Sequence, residues 1–85
     1  MKGKIIYQDT FRKDNKGEIN VTYSASPEIA LRNQAMKYRN QIGDLVAHFG
    51  DVFLTLIDEQ DKPVAKGIMA FDVFTGRGNI ECRAL

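Results

Sequence analysis

Cysteine and histidine are nearly missing from this chain of 85 residues, each occurring once. A lone Cys82 excludes an intrachain disulfide framework. One Cys with one His also falls short of the four ligands of a structural zinc site. Charge of one sign is lacking too: Lys+Arg 12 against Asp+Glu 11 leaves a formal +1. That balance excludes a strongly basic nucleic-acid coat and an acidic solvating tail. No apolar run approaches the roughly 18 residues that a membrane span needs. Residues 1–7 hold no signal-peptide apolar segment, which together with the unpaired thiol predicts a cytoplasmic protein. The composition that remains is that of a globular chain, 44% hydrophobic and 27% charged. It suffices for one core and not for two, so residues 1–85 are expected to form a single domain.

Residues 4–11 are rich in β-branched and aromatic side chains and end at a polar cluster, residues 12–17. Beyond it Ile19, Val21, Tyr23 and Ala25 alternate with polar residues, the period of a strand with one wet face. Asp14-Asn15-Lys16-Gly17 supplies turn residues, with Gly17 available for a positive φ, so the two runs predict a hairpin. Ser26-Pro27-Glu28 reads as a helix start: a capping hydroxyl, a proline at the first helical position and an acid near the positive dipole end. Leu31, Ala35, Tyr38, Ile42, Leu45, Val46 and Phe49 then recur at spacings of three and four, one buried helix stripe. The spacing predicts a continuous or kinked helix over 27–49, about 34 Å long, ended by Gly50. A strand of seven residues is only about 23 Å long, so Gly43-Asp44 is a candidate break. In that alternative, residues 45–49 form a strand and Gly50-Asp51 a hairpin loop. Residues 52–57, 64–73 and 79–84 read as strands, separated by a charged turn at 58–63 and a tight loop at 75–78.

Few residues point to chemistry. His48 stands alone, and imidazole catalysis needs an orienting partner with a nucleophile or metal. Its plain reading is a boundary residue favoured near a helix C-terminus. Asp58, Glu59 and Asp61 crowd together but lack the central glycine and closing glutamate of a calcium loop, so they read as a solvated turn. Gly76-Arg77-Gly78-Asn79 lacks the lysine and hydroxyl of a phosphate loop, and the third glycine and helix of a dinucleotide fingerprint. It reads as a hairpin tip, from which Arg77 could meet a phosphate or carboxylate. Cys82 alternates with Ile80 and Ala84 and reads as a small core residue. No catalytic, metal or cofactor set emerges, and the chain is expected not to be an enzyme.

Partner binding is the more promising ground. Residues 1–39 hold eight basic against four acidic residues, and the remainder four against seven. If that surplus gathers in space, Lys4, Lys13, Arg32, Arg39 and Arg77 would suit a nucleic acid. The helix offers a sharper pattern. Ile29, Met36 and Gly43 recur every seven residues away from the core stripe, with Arg32 and Arg39 on one shoulder. An outward apolar line edged by arginines suits a protein contact or self-association. The plain alternative leaves Ile29 under a loop and Met36 as a single exposed apolar residue.

The reading is therefore α+β: a small antiparallel sheet in the order β-β-α-β-β-β, with one long amphipathic helix packed on one face. Ile19, Val21, Tyr23, Leu31, Ala35, Tyr38, Ile42, Leu54, Leu56 and Ile80 form the expected core. In size and order of elements the chain resembles small phage and prophage accessory proteins, some anti-CRISPR proteins among them. No diagnostic motif carries that resemblance, so it transfers no site residue. The expected function is a non-enzymatic binding module that masks or regulates a larger protein through Ile29, Arg32, Met36, Arg39 and Arg77. The alternative is a nucleic-acid binder using the basic N-terminal half and the helix shoulder.

Overall fold

Alternating burial along the β-branched runs builds most of this protein. The computed structural model describes residues 1–47, 49–72 and 78–85, and its elements are β1 (Lys2–Asp9), β2 (Lys16–Thr22), α1 (Pro27–Lys37), α2 (Arg39–Asp44), β3 (Gly50–Asp58), β4 (Pro63–Phe71) and β5 (Gly78–Ala84). The strands form one antiparallel sheet in the order β2-β1-β3-β4-β5. The fold is α+β, five strands with helices packed against one face.

The hairpin forms as its alternation predicts, with both strands beginning two residues early. Gly17 does not take the expected positive φ of a turn residue; it lies within β2, opposite Tyr7. A Cβ there would come within 2.5 Å of the Tyr7 ring. The glycine is required by that close approach, and the turn itself is made by residues 10–15.

Cross-strand registers align the apolar residues into rows. Ile19, Ile5, Leu56 and Ala65 form one row across four strands; Leu54 sits between Tyr7 and Gly67, and Val52 beside Met69. All but the glycine are buried, and from the helices Ala30, Leu31, Ala35 and Ile42 close over them. Of the expected core, Tyr38 and Ile80 are only half-buried, packed at its margin.

The helix departs from expectation in two places. It breaks first at Tyr38 (φ −104°, ψ 22°), and α2 then ends at Asp44, at the candidate break, with Gly43 buried in its last turn. Arg39 Nη1 donates to the Met36 carbonyl at 3.3 Å, satisfying an acceptor near the break. Residues 45–47 then leave the helix through i→i−3 bonds, Leu45 N–H to Ile42 O, Val46 to Gly43 and Ala47 to Asp44, the tighter winding common at helix ends. Ala47 ends the turn with φ 54°. Gly50, expected to stop the helix, begins β3 with φ 118°. Residues 45–47 are thus neither long helix nor strand, and Phe49, assigned to the buried stripe, is 67% exposed. A straight rod of about 34 Å would overrun the sheet. Bending at Tyr38 keeps Ile42 over the core and frees the chain to enter β3.

Ser26 stands at the helix start without a side-chain cap bond; its backbone carbonyl accepts the Ala30 N–H at 2.8 Å. Among the described residues, no helix is long and apolar enough to cross a membrane.

Candidate functional site

The outward helix line does not form. Ile29 is 51% exposed, but Met36 is half-buried against the core and Gly43 is fully inside. The break at Tyr38 turns α2 relative to α1, so the seven-residue spacing no longer marks one face. Arg32 lies over β5, its Nη1 reaching the Ile80 carbonyl at 3.5 Å, while Arg39 is tied to the Met36 carbonyl. Arg77 and His48 lie outside the described residues. The basic set is also divided. Lys4 points from the face of the sheet opposite the helices, Lys13 lies in the β1–β2 turn, and Arg32 and Arg39 belong to the helix layer.

Cys82 sits on the helix side of β5, half-buried beneath α1. Burial pushes its thiol pKa up; Arg32 pulls it partly back and Glu28 adds to the rise. A thiol held protonated in this way behaves as the small apolar residue that its alternation suggests.

The feature that the sequence reading missed lies on the uncovered face. Because side chains alternate, the residues between the core rows form rows of their own. One runs Lys16, Gln8, Phe53, Ile68, Glu81 from β2 to β5, and the next runs Glu18, Ile6, Thr55, Lys66, Arg83. Ile57 extends the apolar centre beside Lys4. Phe53 and Ile68, paired across β3 and β4, are 46% and 44% exposed. With Gln8, Thr55, Lys66, Glu81 and Arg83 they line a shallow groove of about 640 Å³. Its middle is apolar, its β4–β5 side carries the mixed charges of Lys66, Glu81 and Arg83, and its β1 end is lined by Gln8. Beyond the groove, on the β1–β2 side of the same face, Lys4 and Glu18 meet at 3.5 Å as an exposed pair.

One signal for this face was present in the sequence. Residues 52–57 read Val-Phe-Leu-Thr-Leu-Ile, without the polar alternation of residues 18–25. A strand apolar on both sides is one that expects cover on both sides. Among the described residues, no group of three or more His, Cys, Asp or Glu is arranged to hold a metal ion. No family model matches the chain, and neither does any curated protein or solved structure.

Proposed function

We propose that this chain is a small non-enzymatic binding module whose contact surface is the uncovered sheet face. One observation carries the reading: exposed Phe53 and Ile68, paired across β3 and β4, share with half-buried Ile6 and Ile57 the face of three central strands that the helices leave open. Contiguous apolar surface rimmed by polar groups is the usual mark of a protein contact, since water solvates it poorly. The charged rim supplies orientation, and these apolar residues supply the driving force. Such a module acts by covering a surface of another protein. A cytoplasmic setting belongs to the same proposal, because the lone Cys82 thiol suits a reducing compartment.

The test is site-directed photo-crosslinking. A photoreactive phenylalanine at position 53 should give a discrete protein adduct, whether to a second copy or to a different protein. The same group at exposed Asn33, on the helix layer, should give none. Equal yields from both positions, or none from position 53, would remove the reading.

A further inference from the structure

The charges on the two edge strands of the uncovered face, Lys16 and Glu18 on β2 and Glu81 and Arg83 on β5, alternate in sign, and this pattern says what covers the face. On β2, Lys16 precedes Glu18; on β5, at the other end of the same two rows, Glu81 faces the Lys16 row and Arg83 the Glu18 row. The signs are therefore opposite both along each edge and across the sheet. A two-fold axis lying parallel to β3, between two facing sheets, keeps every row over itself and exchanges its ends. Under that operation β2 lies over β5 and β1 over β4. Lys16 then meets Glu81 of the other copy, and Glu18 meets its Arg83. Each pair occurs twice in the dimer, as an isologous interface requires.

The apolar centre obeys the same operation. Phe53 falls on Phe53, Thr55 on Thr55 and Ile57 on Ile57 along the axis, and Ile68 falls on Gln8. Asp51, at the exposed end of β3, faces its own copy as a like-charge pair that opposes the contact. Ile6 falls against the aliphatic stem of Lys66, whose ammonium group reaches the solvated margin. The aromatic contact and the burial of the isoleucines drive association, and the four ion pairs fix its register. The Lys4–Glu18 contact does not forbid this, because an exposed pair at 3.5 Å is weakly held. Among the described residues, Lys16, Lys66, Glu81 and Arg83 make no ion pair within the chain.

Size sets the expected strength. Five strands about 4.8 Å apart and about seven residues long offer a face of roughly 24 by 23 Å. Two such faces bury on the order of 1,100 Å², just above the lower bound for a specific interface. The geometry points to a second copy of this chain as the occupant of the face, in a sheet-on-sheet dimer about a two-fold axis along β3. This inference rests on the open face being a contact surface, and it names the occupant.

Sedimentation equilibrium on the whole chain tests it. The parent should dimerise with a dissociation constant on the order of 10–100 µM. Lys16→Glu should weaken the dimer about tenfold or more, because the new carboxylate then opposes that of Glu81 at both ends of the interface. Glu81→Lys should do the same. The double variant Lys16→Glu/Glu81→Lys should return to within about threefold of the parent, which a loss of folding would not produce. Phe53→Glu should leave a folded monomer. A two-fold axis across the strands would instead set Lys16 over Glu18. Restoration of Lys16→Glu by Glu18→Lys rather than by Glu81→Lys therefore overturns the axis along β3. A parent that stays monomeric at about 0.5 mM overturns the dimer. If that monomer still gives the position-53 adduct with another protein, the binding-module reading survives without the dimer. Absence of both removes the two together.

Discussion

Asp9 shows how one side chain ties the sheet to the helix layer. One carboxylate oxygen accepts the Phe11 N–H at 2.9 Å and the other accepts Asn15 Nδ2 at 3.2 Å. Asn15 also donates to the Leu45 carbonyl at 3.0 Å, so the hairpin turn is tied to the end of the helical segment. The Phe11 backbone bond, then the Asn15 bond, hold the Asp9 carboxyl below its ordinary 3.8, against a smaller rise from desolvation. A depressed carboxylate contributes stability that is complete above the unfolded value and is lost as pH falls through the folded one. The Phe11 amide and the Asn15 side-chain amide should thus keep their NMR shifts down to about pH 4 and move together below it. In Asp9→Asn that joint acid transition should vanish. Its persistence would mean another carboxyl governs the turn. Ala47 is a second residue with a local cost, since φ 54° brings its Cβ near its own carbonyl. Ala47→Gly should stabilise the protein by roughly 0.5–1 kcal/mol in a denaturant melt, the left-handed penalty less the entropy of the freer chain. A lower midpoint would indicate that the Ala47 methyl packs usefully.

Among the elements, the hairpin was legible because period two leaves no second interpretation for Ile19 to Ala25. The helix was legible in type but not in extent. A residue at φ −104°, ψ 22° still occupies one position in the chain, so Tyr38 breaks the helix without disturbing the spacing from which the stripe was read. Gly43-Asp44 drew the alternative break because a helix over 27–49 outruns a strand; α2 does end at Asp44, with Gly43 buried inside it, but the bend comes earlier, at Tyr38. The helix start was legible in two of three parts: Pro27 is at the first position and Glu28 in the first turn, but Ser26 makes no side-chain cap. Ser26→Ala should therefore change stability by less than about 0.5 kcal/mol, where a working cap contributes about 1 kcal/mol. A loss near the larger figure on thermal unfolding would show that the hydroxyl caps the helix in solution. The candidate site was the least legible part. Pattern reading asks which face of a strand is apolar, and in β3 both are. Phe53 and Leu54 differ little in hydropathy, and only the position of the helices decides which is covered.

That decision belongs to the whole molecule. Among the described residues, fifteen apolar side chains make the core, gathered between the sheet and a helical layer of seventeen residues, eleven in α1 and six in α2. A chain this short has one layer of helix to spend, so one apolar face of its sheet stays open. Phe53 and Leu54 are chain neighbours on opposite sides of this boundary, 46% and 1% exposed. Leu54→Glu would bury a carboxylate among Tyr7, Val52 and Leu56, with no hydrogen-bonding partner made for it, at a cost of several kcal/mol. Against the marginal stability of a small domain, that should abolish the cooperative melt at 25 °C and above. Phe53→Glu places the same charge in water, near the lysines of the outer rows. The cost is then limited to strand propensity and partial burial, about 1 kcal/mol. In dilute solution, where association makes no contribution, the variant should keep a cooperative transition within several degrees of the parent. Two adjacent residues, one substitution and opposite outcomes make a strict test of which face the helices cover. If both variants unfold, the outer face is part of the core. If both fold, the helix layer is not where the registers put it.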